Sequence, residues 1–352
     1  MATAKSTGLV ADLVADLNSA IGANDEADTV SNFIDTGYAP LNEALSGRYD
    51  GGLPMGRMIE MFGESSSGKT ALATQWMVEA QRMGGVAGFV DWERSFDVNL
   101  AKGFGLNDER PFWIYGKPKT WEAGNTFAAK ACRAIRASKA IDPKAPILFV
   151  FDSIASSVPQ SMLTDSKGNE REIDDYTMND TSSLSRVTST TLKVMAQYCE
   201  EYNATFLYLN QMRLKIGVVF GDPRTTPGGK AMEFYATNRM AIGRTKLMQQ
   251  VDGQKEFVGQ NIAIQVTKSK LTKPFKECEI RMSYDDLGVA RFDPAYSLME
   301  LLLKRKLLSS PRNGYVEWEG KQYTKRAFAD LMTPRIKELN ALLVGAKEPA
   351  EA

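Results

Sequence analysis

Residues 57–82 read RMIEMF, then GESSSGKT, then ALATQWMVEAQR: an apolar run, a glycine- and serine-rich turn, and a stretch of helix formers. No other segment limits the fold as strongly. Gly63, Glu64, Ser65, Ser66, Ser67, Gly68, Lys69 and Thr70 match GxxxxGK[ST], a pattern that works only between a strand and a helix. Its glycines let successive backbone N–H groups turn inward around phosphate oxygens, and the new helix aims its positive end at them. In this reading Lys69 neutralises the β- and γ-phosphates of ATP and the Thr70 hydroxyl ligates Mg²⁺. A plain Gly/Ser helix cap fits the same spacing but has no use for the Lys-Thr pair.

The rest of the middle of the chain agrees with that layout. Arg57–Phe62, Val86–Val90, Ile147–Phe151 and Thr205–Leu209 are short, continuously apolar runs, with helical stretches such as Ala71–Met83 and Trp121–Ser138 between them. Buried strands separated by helices predict an α/β fold: a P-loop ATPase core whose mostly parallel central sheet is covered on both faces. Runs at Thr237–Ile242, Gln260–Lys268 and Cys278–Met282 lack intervening helices and predict an antiparallel edge. Three regions follow: 1–33, an amino-terminal helix and linker; 34–284, the core; and 285–352, a small α+β module. That module holds a basic helix (Tyr296–Leu308), a hairpin in NGYVEWEGKQY and a helix from Lys325, and its last residues are expected to fray. In the first region Val10, Leu13 and Leu17 form an apolar stripe. It either packs on its own core or is lent to a neighbouring copy.

A P-loop needs a second carboxylate at the end of a neighbouring strand to hold the magnesium shell. Asp152, directly after ILFVF, supplies it, though an acid capping a helix would also stand there. Hydrolysis further needs a group to orient water, and Val86–Val90 runs into Asp91-Trp92-Glu93. Glu93 is the choice, with Asp91 a competitor because alternation on a strand points both the same way.

Composition narrows the chemistry. The 352 residues include no histidine, which excludes Ser-His-Asp and Cys-His catalysis and His-ligated zinc. Three scattered cysteines, with no CxxC pair, read as core fillers in a reducing compartment. No run approaches the roughly 20 apolar residues of a membrane span, and the start has no signal-peptide pattern, so a soluble, cytoplasmic protein is expected. Forty-three bases balance 43 acids, but unevenly. Residues 1–50 carry a net of −6, whereas 213–246 hold seven bases against Asp222 and Glu233, a net of +5.

GGLPMGRMIEMFGESSSGKT, the strand end FVDWE, LNQMRLKIGVVFGDPRTTPGGKAMEFYA and VTKSKLTKPFK together resemble the bacterial-type RecA recombinases, cellular or phage-encoded. The resemblance runs from about Ile34 to about Leu331. It implies an ATP- and Mg²⁺-dependent helical filament of many copies on single-stranded DNA, which exchanges strands with double-stranded DNA. It also implies single-strand-binding and loader proteins as partners, and no membrane. Carried over by position, Glu93 orients the water, and Gln211 senses the γ-phosphate and relays it to the loop Met212 to Gly229. In that loop the resemblance assigns DNA contacts to Met212, Arg213, Lys215, Ile216, Gly217, Val218, Phe220, Arg224, Gly228 and Gly229, and to Lys230 just after it. Charge meets phosphates, and Ile216, Val218, Val219 and Phe220 wedge or stack against bases. A buried hairpin is the plainer reading of that apolar, Gly-rich loop. Arg186 matches a DNA-contacting arginine. Lys268 and Lys270 match a pair that reaches a neighbour's ATP, although a Lys-Ser-Lys run is also an ordinary solvated edge. Phe234 matches an interface residue, with a core aromatic the alternative.

Some features depart from the family. The first DNA loop, around Pro159–Thr181, is long, and residues 162–182 carry a net of −4, so much of it should point away from phosphates. Leu100 stands where the family stacks a tyrosine on adenine; Tyr284 is then a substitute contact and Asp97 an acceptor for the adenine amine. No acidic tail follows, and residues 301–326 carry a net of +5, suited either to gathering duplex DNA or to a solvated face. The rival readings are a hexameric helicase-type motor of the same core fold and an ATP-binding filament or mediator paralogue that exchanges no strands.

Overall fold

The computed structural model describes residues 30–345, apart from 178–179, 181, 216, 218–220, 252 and 285–287. The stripe Val10, Leu13 and Leu17 lies outside the described residues, as do Ile216, Val218, Val219 and Phe220. Asn32 onward forms one compact unit.

Nine strands make the central sheet: β1 (Met58–Gly63), β2 (Val86–Asp91), β3 (Trp113–Gly116), β4 (Ile147–Asp152), β5 (Ala204–Gln211), β6 (Asn238–Val251), β7 (Gln254–Ser269), β8 (Glu277–Tyr284) and β9 (Ala290–Asp293). Their spatial order is β9-β8-β7-β6-β1-β5-β4-β2-β3. From β6 to β3 every neighbouring pair is parallel. From β6 through β9 the pairs are antiparallel. The antiparallel edge thus begins one strand later than the sequence suggests, because β6 pairs parallel with β1 before turning back into β7.

Helices α1 (Ala39–Ser46), α2 (Lys69–Arg82), α3 (Val98–Gly103), α4 (Trp121–Ser138), α5 (Ser183–Glu201) and α6 (Ala231–Tyr235) accompany the sheet. The described residues end in α7 (Pro294–Lys304), a hairpin of Tyr315–Trp318 with Lys321–Thr324, α8 (Lys325–Met332) and α9 (Ile336–Gly345). The basic helix is shorter than the run Tyr296–Leu308. Asp293 caps its start, accepting from Tyr296 N–H at 3.0 Å, and Lys306 in a left-handed conformation (φ 59°) ends its continuation. α9 has no counterpart in the sequence reading.

Strands β1, β2 and β4 are buried at every position, as sheets covered on both faces require. Helix α2 sinks Leu72, Trp76, Met77 and Val78 into the main core, so the loop at its start is held by packing worth about 1.5–3 kcal/mol per large side chain. Cys132 and Cys199 are buried and unpaired, as core fillers; Cys278 is half-buried.

Candidate functional site

The loop after β1, the C-terminal ends of β4 and β5 and the first turn of α2 meet at one cavity of about 440 Å³. Such a crevice at strand ends is where open α/β sheets take ligands. The turn from β1 into α2 leaves little room for side chains at its two glycines. A Cβ at Gly63 would lie 2.4 Å from Ile242 O, and one at Gly68 (φ 96°) 2.5 Å from Ile262 Cδ1. Ser67 N–H reaches Glu64 O at 3.4 Å. The N–H groups of Ser65, Ser66 and Gly68 have no partner among the described residues, an arrangement that fits a phosphate chain.

Lys69 Nζ crosses the loop, donating to Glu64 O at 2.7 Å, Gly63 O at 3.2 Å and Ser67 Oγ at 3.4 Å. Burial lowers its pKa, and the charges of Asp152 and Glu93 oppose that shift. Thr70 Oγ1 donates to Asp152 Oδ2 at 2.8 Å. Burial pushes the Asp152 carboxyl up to about 7; the Thr70 bond and the Lys69 charge oppose this, and Glu93 adds to it. A buried carboxylate beside a hydroxyl at a triphosphate cradle fits Mg²⁺, which is held by few protein oxygens and by phosphate. Among the described residues no cluster of three or more His, Cys, Asp or Glu forms a separate metal site.

Asp91 and Glu93 part company. β2 ends at Asp91, Trp92 and Glu93 both donate their N–H to Asp152 O (2.7 and 3.0 Å), and Arg94 takes a positive φ, so alternation does not carry past the strand. Asp91 turns into the interior and accepts from Arg94 N–H at 2.5 Å and Tyr115 Oη at 2.7 Å. Glu93 is exposed on the cavity wall. Gln211, the last residue of β5, lines the same cavity.

Around the outer wall stand Asp97, Leu100 and Tyr284. The Asp97 carboxylate already caps α3, accepting from Asn99 N–H at 2.8 Å and Leu100 N–H at 3.3 Å. Leu100 is 56% exposed. Phe257, which sequence reasoning missed, packs its ring 5.7 Å from that of Tyr284 and shares the wall. Nothing local marks it, since the pair exists only through the register of β7 against β8, where Gly259 faces Ser283.

The Met212–Gly229 loop leaves from beside Gln211. Arg213–Leu214 pairs with Arg224–Thr225 as a short ladder, and among the described residues of the loop Arg213, Leu214, Lys215 and Gly217 are exposed. Arg224 is tied to Asp222 at 2.8 Å and to Gln265 at 2.8 Å. A Cβ at Gly229 would lie 3.1 Å from Ser185 Cβ, so the end of the loop rests on the first turn of α5, one residue from exposed Arg186. Lys230 is exposed at the start of α6. In the acidic first loop Arg171 gathers the segment, pairing with Asp180 at 2.9 Å and covering the Tyr176 ring.

Phe234 is 69% exposed, which excludes a core role. Lys268 Nζ donates to the carbonyls of Glu233 and Phe234. Burial, then the charges of Lys270 and Arg239, lowers its pKa to about 8. β7 ends at Ser269, so strand alternation positions Lys268 but does not extend to Lys270. Neither lysine lines the chain's own nucleotide cavity.

A family model described as the RecA N-terminal domain matches residues 18–289. Three curated relatives, each named Protein RecA, are similar over most of the chain. The one from Clostridium botulinum strain Alaska E43 is 35% identical over 75% of this chain and 67% of its own length. That from Leptospira meyeri is 30% identical over 88% and 76%. That from Geobacter metallireducens is 33% identical over 81% and 75%.

Proposed function

This chain belongs to the RecA family, and on that premise we propose that it is an ATP-dependent DNA strand-exchange recombinase. It binds ATP with Mg²⁺, assembles as a helical filament on single-stranded DNA, hydrolyses ATP when DNA is bound, and exchanges strands with a homologous duplex. One observation carries the reading: Lys69, Thr70, Asp152, Glu93 and Gln211 converge on a single cavity at the strand ends.

The free N–H groups of Ser65, Ser66 and Gly68 and the Lys69 ammonium hold the phosphate chain. Thr70 and Asp152 would hold Mg²⁺, which would supply charge neutralisation of the phosphate chain. Glu93, exposed and without histidine competitors, orients the attacking water and takes its proton. Gln211 reads the γ-phosphate at the root of the Met212–Gly229 loop. Arg186, Arg213, Lys215 and Lys230, with the Gly228–Gly229 backbone, meet DNA phosphates. Lys268 and Lys270 serve a neighbour's triphosphate, since neither lines the chain's own cavity, so hydrolysis requires assembly. The exposed Phe234 beside Lys268 belongs to the same protomer contact, and residues 1–33 supply a helix to it. Residues 34–284 are the ATPase core and 285–352 a module that gathers duplex DNA, working with single-strand-binding and loader proteins in the cytoplasm. No described helix is long and apolar enough to cross a membrane.

The test is ATPase activity with and without single-stranded DNA, together with strand exchange, for wild type and Lys69→Ala. Stimulation by DNA and exchange in the wild type, both lost in Lys69→Ala, are expected. A closed ring that unwinds directionally, or ATP binding with neither stimulation nor exchange, would replace the reading.

A further inference from the structure

At the root of the Met212–Gly229 loop lies a polar cluster that the ATP chemistry does not use. Glu60, on the central strand β1, has a fully buried side chain, and its Oε2 accepts from Arg239 Nε of β6 at 2.6 Å. Its Oε1 accepts from Asn210 Nδ2 of β5 at 2.9 Å. The same Asn210 amide nitrogen donates to Pro227 O at 3.0 Å, and Asn210 Oδ1 accepts from Gln211 N–H at 3.0 Å. Arg239 also reaches Thr226 Oγ1 at 3.5 Å and Glu233 Oε1 at 3.7 Å, with its guanidinium over the Phe62 ring.

The chain positions matter more than the count. Asn210 and Gln211 stand just before the loop begins, Thr226 and Pro227 just before it ends, and Glu233 lies on α6, next to exposed Phe234. One buried carboxylate therefore joins, through two side chains, both stems of the loop and the helix that carries Phe234. A buried ion pair is a poor device for stability, since apolar residues of like volume do as well or better; what it supplies is fixed geometry. Both oxygens of Glu60 are used, and both donor hydrogens of the Asn210 amide. Displacing the Gln211 backbone therefore shifts a rigid amide plane that already holds the far stem.

We propose that Glu60, Asn210 and Arg239 are positioning residues forming a clasp, through which the state of Gln211 sets the geometry of the Met212–Gly229 loop. The proposal rests on the recombinase reading only for the identity of the loop's ligand. The clasp itself is a link between the nucleotide cavity and the loop.

The test uses the full chain as wild type, Glu60→Gln, Asn210→Ala and Arg239→Lys. The first readout is tryptic cleavage after Arg213 and Lys215 with and without a non-hydrolysable ATP analogue and Mg²⁺. The second is the ratio of DNA-stimulated to basal ATP hydrolysis. The wild type should show slower cleavage with the analogue. In Glu60→Gln and Asn210→Ala that protection and the stimulation ratio should fall roughly five- to tenfold, with analogue binding and basal hydrolysis within about threefold of wild type. Arg239→Lys, which keeps the charge but not the fork that spans Glu60, Thr226 and Glu233, should lose much of both as well. Should Glu60→Gln fail to fold, Asn210→Ala, which leaves the ion pair in place, decides the matter. Variants that keep wild-type protection and ratio overturn the clasp, as does a wild type whose loop cleavage ignores the analogue. Analogue-dependent protection lost in the variants, in a wild type that DNA does not stimulate, supports the clasp and overturns the recombinase reading.

Discussion

The Tyr115 hydroxyl donates to Asp91 Oδ2 at 2.7 Å, and this contact separates two carboxylates that stand only two residues apart. Asp91, fully buried, is consumed by Tyr115 and by the N–H of Arg94. Burial and the Asp91 bond together drive the Tyr115 pKa well above its usual value, so the hydroxyl stays a donor throughout the working range. Glu93 is left facing the cavity. Glu93→Gln should therefore lower DNA-stimulated kcat by about 10²-fold or more while ATP still binds. Asp91→Asn should instead cost on the order of 1–3 kcal/mol of stability by disrupting buried hydrogen bonds. Steady-state hydrolysis and thermal melting of the two variants separate these outcomes.

Lys268 titrates within reach of ordinary buffers. With its folded pKa lowered to about 8 by burial and by Lys270 and Arg239, the folded protomer binds fewer protons than the unfolded chain between about 8 and the free lysine value near 10.4. The isolated protomer should thus gain stability as pH rises through that window. A contact between Lys268 and a neighbour's triphosphate works in the opposite sense, because it needs the charged form and draws the pKa upward. Assembly-dependent hydrolysis should fall with a limb at or above about pH 8, and Lys268→Arg should move or remove that limb. A pH profile unchanged by Lys268→Arg would count against the contact.

Phe234 exposes most of its ring in the single chain. Removing it should change the melting behaviour of dilute protein by no more than about 0.5 kcal/mol. Burying the same ring between protomers is worth about 1.5–3 kcal/mol, so Phe234→Ala should raise the concentration needed for filament assembly by roughly 10–100-fold. Light scattering against protein concentration measures this directly.

Leu100 sits on the outer wall of the nucleotide cavity with more than half its surface exposed. Its side chain has no ring face to offer a base. Leu100→Tyr should tighten ATP binding by about 0.5–1.5 kcal/mol, at most roughly tenfold, through stacking, and equilibrium binding of a fluorescent ATP analogue would show it. Tyr284→Ala should weaken binding by a similar amount. If neither change alters affinity, the base lies elsewhere.

Much of this protein follows from local sequence. The strand, phosphate loop and helix at 57–82, the buried strands ending at Asp91, Asp152 and Gln211, and the hairpin after Asn313 are visible because burial on both faces and tight turns restrict which residues can stand there. Local pattern also sufficed to bring Lys69, Thr70 and Asp152 to one cavity, since parallel strands joined by helices place all their C-terminal ends on the same side; it left Glu93 open against Asp91, and Gln211 came only with the family resemblance. Register and burial, which depend on residues far apart in the chain, decided the rest. They turned Asp91 inward and left Glu93 outside, left Phe234 on the surface, placed Phe257 against Tyr284, and set Glu60 between Asn210 and Arg239, 150 and 179 positions away. An extended carboxylate carries no local mark of the arginine it will meet across a sheet. That partner is chosen only when strands distant in sequence become neighbours.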